Sequence, residues 1–258
     1  MIGMDDVGET QFMLLDASAP ADDDMLYQLY AYPECDTSIV RGNAIASLDG
    51  GATTDGTSGG LGGSGDRHLF AVQRELADVI VVGAGTARAE NYGGARMTAA
   101  QRQRRQRRGQ HEVPPLAVVT RSGVLEHDLP VLTQTEVPPL VITCAANADS
   151  ARARLGSAAQ VIDCSGSDPR RVDLAVTLER LADRGLLRVL SEGGPSLLGA
   201  FVAANLLDEI CLTSAPLLVG GGAVRITAGI ADVLVRMRRA HVIADTDGYL
   251  YSRYIRAT

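Results

Sequence analysis

The sequence predicts an α/β fold built on a mostly parallel sheet flanked by helices, and three observations carry that expectation. Short runs nearly continuous in Val, Ile and Leu recur along the chain, as in strands buried on both faces. Amphipathic stretches at helical spacing separate them, the alternation that lays parallel strands under covering helices. The C-terminal part breaks the pattern: two strand-like stretches flank Thr246-Asp247-Gly248, a hairpin signal, so the sheet should finish with an antiparallel edge.

Taken in order, residues 1–38 read as an acidic N-terminal extension with one short helix. There Asp22-Asp23-Asp24 caps a turn carrying Met25, Leu26, Leu29 and Tyr30, ending before Pro33. Residues 39–258 read as one domain. Its strands are expected at Ile39–Ser47, Asp78–Val82, Leu116–Thr120, Leu140–Thr143, Gln160–Asp163 and Leu187–Ser191, then Asp208–Ser214, Ala240–Asp245 and Tyr249–Arg256. Helices are expected at Arg67–Leu76, Val172–Arg184 and Pro195–Ala203.

Composition narrows the function classes. With 258 residues, 46% hydrophobic and 21% charged, the chain can bury a sizeable core. A net charge of −7 argues against a general nucleic-acid binder. No apolar run reaches membrane-spanning length, and Met1–Asp6 carries acid where a secretory leader carries Lys or Arg, so a cytoplasmic protein is expected. Cys35, Cys144, Cys164 and Cys211 form no C-x-x-C pair and His68, His111, His127 and His241 are scattered, so neither a disulfide framework nor a metal site is predicted.

Three strand exits carry candidate chemistry. Leu187–Ser191 runs through Glu192 into Gly193-Gly194-Pro195-Ser196-Leu197: glycines let backbone approach a ligand, and proline suits the first helical position. Such a helix start accepts a phosphate, although an ordinary tight strand-to-helix turn has the same letters. Asp78–Val82 leads into Gly83-Ala84-Gly85-Thr86, with Thr86 offering a hydroxyl. Because ligands of open α/β sheets bind beyond the carboxyl ends of strands, both exits point to one crevice. Thr120-Arg121-Ser122 could grip the 2′-phosphate of NADP, or be a plain polar turn. Gly60–Gly65 matches G-x-G-x-x-G by letter, but no strand feeds it; it reads as a mobile loop over a site. The arginines of Arg102–Arg108 read as a solvated helix face or loop.

These segments, in order, resemble the reductase domain of riboflavin biosynthesis, a relative of dihydrofolate reductase. The matching pieces are Ala46-Ser47-Leu48-Asp49-Gly50, Arg74 with Ala77–Gly83, Gly85–Glu90, Glu192–Leu197, Asp208-Glu209, and Ala215-Pro216 with Gly220-Gly221. Together they span roughly residues 39–256. The resemblance implies a dihydrofolate reductase-like fold, NADPH as cofactor and a homodimer, with Ala215–Val224 a candidate interface. It implies cofactor contacts at Ala46, Thr86, Glu90, Arg121 and Gly194–Leu197, beside the Gly85, Thr120, Ser122 and Gly193 positions read above. It implies substrate contacts at Ser58, Arg74 and Glu192, with Asp66 the acid facing the ring; Asp66 equally fits a helix N-cap.

The chain departs from the family in three places. The H-x-E…P-C-x-x-C signature of the deaminase that many relatives also carry does not occur, so deamination is not expected. Where the family has a proline and a phosphate-holding arginine, this chain has Tyr92 and Met97, so Arg96 would serve only by a shift of register. The aromatic residue expected near Gly60 is also missing. The reading is hydride transfer to a C=N carbon of a pyrimidine- or pterin-bearing substrate, with 5-amino-6-(5-phosphoribosylamino)uracil first and dihydrofolate second. A non-catalytic NADP- or RNA-binding protein is the third alternative.

Overall fold

The computed structural model describes residues 20–229 and 233–257. Residues 1–19 of the acidic extension, and 230–232 and 258, lie outside them. In chain order the elements are α1 (Asp23–Tyr30), β1 (Ile39–Ser47), α2 (Ser64–Leu76), β2 (Val79–Gly83), α3 (Ala84–Ala89), α4 (Ala99–Arg107), β3 (Leu116–Val119) and α5 (Pro130–Thr133). There follow β4 (Leu140–Thr143), α6 (Ala145–Leu155), β5 (Gln160–Asp163), α7 (Leu174–Ala182), β6 (Arg188–Ser191), α8 (Pro195–Ala203), β7 (Glu209–Ala215), β8 (Met237–Ala244) and β9 (Leu250–Arg256).

The strands make one nine-stranded sheet in the order β5-β4-β3-β2-β6-β1-β7-β9-β8. All pairings from β5 to β7 are parallel, and β9 and β8 add the antiparallel edge. After β5 the chain returns to insert β6 between β2 and β1, so the strand order reverses there. That reversal opens a crevice beyond the carboxyl ends of β1, β2 and β6.

Strand alternation divides the core. Ile80, Val82, Val118 and Val141 face one apolar layer with Leu125 and Val131. Val79, Val81, Ala117 and Ile142 face the other, under Leu181 of α7 and Leu198 and Phe201 of α8. Burial pushes the Cys164 and Cys211 thiols to about 11, as suits inert core residues.

The arginine run is corrected in part by the structure. It is helix α4, capped by Thr98, with Arg107 exposed as a solvated face requires, but Arg105 is turned inward. Arg105 is fully buried, and its Nη1 donates to the carbonyls of Glu75 and Ala77 at 2.7 and 2.6 Å, at the C-terminus of α2. Arg104 holds the Glu75 carboxylate through two bonds of 2.8 and 2.7 Å. A cationic helix end meets unpaired carbonyls, which is where guanidinium groups are most useful.

A second buried cluster joins the N-terminal helix to the sheet. Glu209 lies between Arg41 (2.7 Å) and Arg253 (2.6 Å), while Arg41 and Arg253 also donate to the carbonyls of Tyr30 and Leu29, each at 2.6 Å. Burial raises the Glu209 carboxyl, but the two guanidiniums outweigh it and hold it below its ordinary value. Its stabilisation is therefore full above the ordinary carboxylate range and is lost as pH falls through the depressed value. Glu209→Gln, leaving two buried arginines undercompensated, is expected to cost about 3 kcal/mol in urea denaturation at neutral pH, and less in acid.

Candidate active site

At the reversal point the strand exits converge on one crevice with two limbs. The first, of about 410 Å³, is lined by Ala44 and Ile45 of β1, Thr86 of α3, and Gly193, Gly194 and Ser196 at the start of α8. The second, of about 570 Å³ and more open, is lined by Arg67, Phe70 and Arg74 of α2, by Tyr92 and Arg96, and by Gly62. Both limbs share Ser58, Asp66, Thr86, Glu90 and Glu192, so two ligands bound there would meet over those residues.

The first limb has the features of a phosphate cradle. Gly194 is the N-cap of α8 with no side chain capping it, leaving the first N–H groups of the helix to a ligand. A Cβ on Gly194 would stand 2.1 Å from Thr86 Oγ1, so only glycine keeps the two strand exits this close. The Gly83 N–H donates to the Gly193 carbonyl at 2.8 Å and ties the exits together. Gly194→Ala, forcing Thr86 aside into the cavity, is expected to weaken nicotinamide-cofactor binding about 30-fold, read by fluorescence titration.

The second limb is ionic. Arg74 Nε and Nη2 each reach Glu192 at 2.7 Å, a fork on a carboxylate that is 1% exposed. Burial alone would lower Arg74, but Glu192 more than offsets it and keeps the guanidinium firmly charged. Phe70 and Tyr92 stack on the guanidinium, at 4.3 and 5.6 Å from their ring centroids. Glu90 Oε1 accepts from the Ser58 N–H and hydroxyl at 2.6 and 2.9 Å, which anchors the loop before α2. Asp66 is corrected as an N-cap: Gly63 caps α2, and Asp66 lies in its first turn, accepting from the Thr213 hydroxyl at 2.8 Å. Burial raises the Asp66 carboxyl above its ordinary value, against the Thr213 bond and the nearby Arg67.

Not every expected residue reaches the crevice. Gly193, Gly194, Pro195 and Ser196 line it, whereas Leu197 is buried in the core. Ala46 lies in β1 next to the lining residue Ile45, and Gly85 is exposed with open space around it. Thr120, Arg121 and Ser122 lie just beyond β3 outside the lining, with the Thr120 and Ser122 hydroxyls 3.2 Å apart and Arg121 exposed. The Gly60–Gly65 segment leads into α2, with Gly62 on the crevice wall, Leu61 fully buried and its carbonyl bonded by Tyr249.

Sequence reading missed Asn43, Arg67, Phe70 and Thr213. Asn43 had a signal: Arg41, Asn43 and Ser47 put polar groups on one face of an otherwise apolar strand. A larger recess of about 680 Å³, lined by Val113, Pro115 and Leu186, lies at the opposite, amino ends of the strands. Its acids Glu112 and Glu136 are already paired to Arg102. Among the described residues no cluster of three metal-ligating side chains occurs.

Comparison with known proteins agrees with this geometry. The model of the RibD C-terminal domain family matches residues 38–251. A 2,5-diamino-6-ribosylamino-4(3H)-pyrimidinone 5′-phosphate reductase of Archaeoglobus fulgidus is 31% identical over 181 residues, covering 69% of this chain and 80% of the relative. The protein of that name from Methanothermobacter thermautotrophicus is 33% identical over 181 residues, covering 69% and 78%. The solved structure of a pyrimidine reductase-like protein from Corynebacterium diphtheriae superposes with a TM-score of 0.74 at 29% identity, covering 86% of this chain and 92% of that one. With its dihydrofolate reductase-like sheet and matched family pattern, this chain belongs to the RibD C-terminal domain family and is an oxidoreductase that works with a nicotinamide cofactor.

Proposed function

We propose that the protein reduces a 6-ribosylaminopyrimidine 5′-phosphate of riboflavin biosynthesis with NADPH. The class includes 5-amino-6-(5-phosphoribosylamino)uracil and the diaminopyrimidinone for which the archaeal relatives are named. The observation that carries this reading is the two-limbed crevice, a glycine cradle beside an ionic limb, meeting at Asp66, Thr86, Glu90 and Glu192. NADPH held along Gly193, Gly194, Ser196 and Thr86 would supply the hydride that reduces C1′ of the ring-opened imine, whose nitrogen would gain a proton.

The chain's own residues bind and orient. Gly193, Gly194 and Ser196 accept the cofactor's phosphates, with Thr86 beside them. Thr120, Arg121 and Ser122, one strand further out, suit the 2′-phosphate that distinguishes NADPH from NADH. Arg74 and Glu192 form a fixed charged wall for the pyrimidine, and Asp66, whose carboxyl burial raises above its ordinary value, is the proton relay. A homodimer joined through the exposed Leu217, Leu218 and Val224 fits the family, as does a cytosolic location for a chain whose described cysteines are free thiols. No helix among the described residues is long and apolar enough to cross a membrane.

The phosphate of the substrate needs cations that Met97 cannot supply, because Met97 is buried in the core. Arg96, its neighbour, is exposed at the rim of the ionic limb and has no acidic partner among the described residues. Arg67, on the same limb, makes only a 3.4 Å bond to the Gly62 carbonyl. These two arginines hold the phosphate in this reading, with Arg74 committed to Glu192. Arg96→Gln and Arg67→Gln are each expected to raise KM for the phosphorylated substrate about tenfold, with kcat little changed. Steady-state kinetics on the phosphorylated and dephosphorylated compounds checks this; equal losses on both would place the phosphate elsewhere. Dihydrofolate, which carries no phosphate, would need neither arginine.

A further inference from the structure

Behind the floor of the crevice lies a polar arrangement that the cofactor and substrate contacts above do not use. Gln73, on α2 one residue before Arg74, is 3% exposed and lines neither limb of the crevice. Its Nε2 donates to Asn43 Oδ1 at 2.9 Å, while its Oε1 is buried with no partner. Asn43 and Asp66 line both the first limb, where it shares Asp66, Phe70 and Tyr92 with the ionic limb, and a small void of about 10 Å³ that Gln73 also borders. Tyr30 and Ser252 also line that void, and its size is of the order of one water. A buried amide with half its capacity spent on one neighbour and the other half unspent invites explanation.

We propose that Gln73 is a positioning residue that fixes the amide of Asn43, and that Asn43 thereby reads the pyrimidine ring. Asn43 Oδ1 already accepts from Gln73, while its N–H₂ group has no acceptor among the described residues, so the amide has two unspent donors to offer the crevice. Asp66, with Oδ1 taken by Thr213, offers its second oxygen as an acceptor when ionised. A donor and an acceptor on one wall complement the O=C–N–H lactam edge of a pyrimidinone, and a ring lacking that edge would leave Asn43 unpaired. This rests on the pyrimidine reading above and adds the residue pair that selects the ring edge.

The test is a double-mutant cycle read by calorimetric binding of 2,5-diamino-6-ribosylamino-4(3H)-pyrimidinone 5′-phosphate and, separately, of NADPH. Asn43→Asp, which keeps the shape and removes the donors, is expected to weaken the pyrimidine about tenfold or more and NADPH less than about twofold. Gln73→Leu and Gln73→Glu, neither able to donate to Asn43, are expected to weaken the pyrimidine about fivefold with NADPH again unaffected. The Asn43→Ala/Gln73→Leu double variant should bind no worse than Asn43→Ala alone, because Gln73 acts only through Asn43. Multiplying losses, equal weakening of NADPH, or an unchanged Asn43→Asp affinity would each overturn the proposal. Failure of the wild type to oxidise NADPH while the binding pattern holds would remove the reductase reading and leave the ring-reading pair standing.

Discussion

Replacing Arg74 by Met is expected to remove nearly all activity and a large part of the stability together. The guanidinium is the only cation within reach of the Glu192 carboxylate among the described contacts, and that carboxylate is 1% exposed. Without its partner the charge stays buried and uncompensated, a loss of about 3–5 kcal/mol for pairs of this kind. For a domain of this size that is a fall of roughly 6–20 °C in Tm. Two charge-assisted bonds that orient Glu192 toward the substrate vanish as well, so kcat/KM should drop about 10²–10⁴-fold. Because Met keeps the packing against Phe70 and Tyr92, the loss is electrostatic. Retained activity after correction for folded fraction would mean that the pair is only a structural pin.

Asp66→Asn is expected to lower kcat/KM about 10²–10⁴-fold and to flatten its pH dependence. Burial raises the Asp66 carboxyl, so its protonated form persists to higher pH than that of an exposed aspartate. A group that donates its proton works below its pKa, so wild-type kcat/KM should fall as pH rises through that raised value. Asn cannot titrate, so the variant should be low and without this limb. Full kcat/KM in Asp66→Asn over the whole range would assign the proton to solvent or to another residue.

Strands inside the sheet were legible because burial on both faces demands apolar runs: β1 and β4 lie at Ile39–Ser47 and Leu140–Thr143 as read. The edge strand β5 lies at Gln160–Asp163 as read, although only Ile162 in it is buried. Proline at the first helical position marked α8 to the residue. Helix α6 escaped because its inward face is Ala148, Ala151 and Leu155, a stripe too weakly apolar to show a period, and no side chain caps it. Helix α2 begins at Ser64 because Gly63 takes the extended cap position, which a glycine-rich stretch hides.

Legibility of the site followed the same division. Glycines and the helix start are local features, and they were found. The pairing of Arg74 with Glu192 joins β6 to α2 across 118 residues and needs the fold to be seen. Arg105 reads as surface in any window, since what buries it is the carbonyl end of α2. Arg96 and Met97 could be ordered only once the core was known: one faces the crevice and the other fills the layer beneath β2.

The most direct measurement is oxidation of NADPH by the purified protein, with 5-amino-6-(5-phosphoribosylamino)uracil, its 2-amino counterpart and dihydrofolate side by side. The expected result is a kcat/KM for one of the two phosphoribosylamino compounds exceeding that for dihydrofolate by about 10²-fold or more, with NADPH preferred over NADH. Faster turnover of dihydrofolate, or no oxidation with any of the three, would contradict the proposed function.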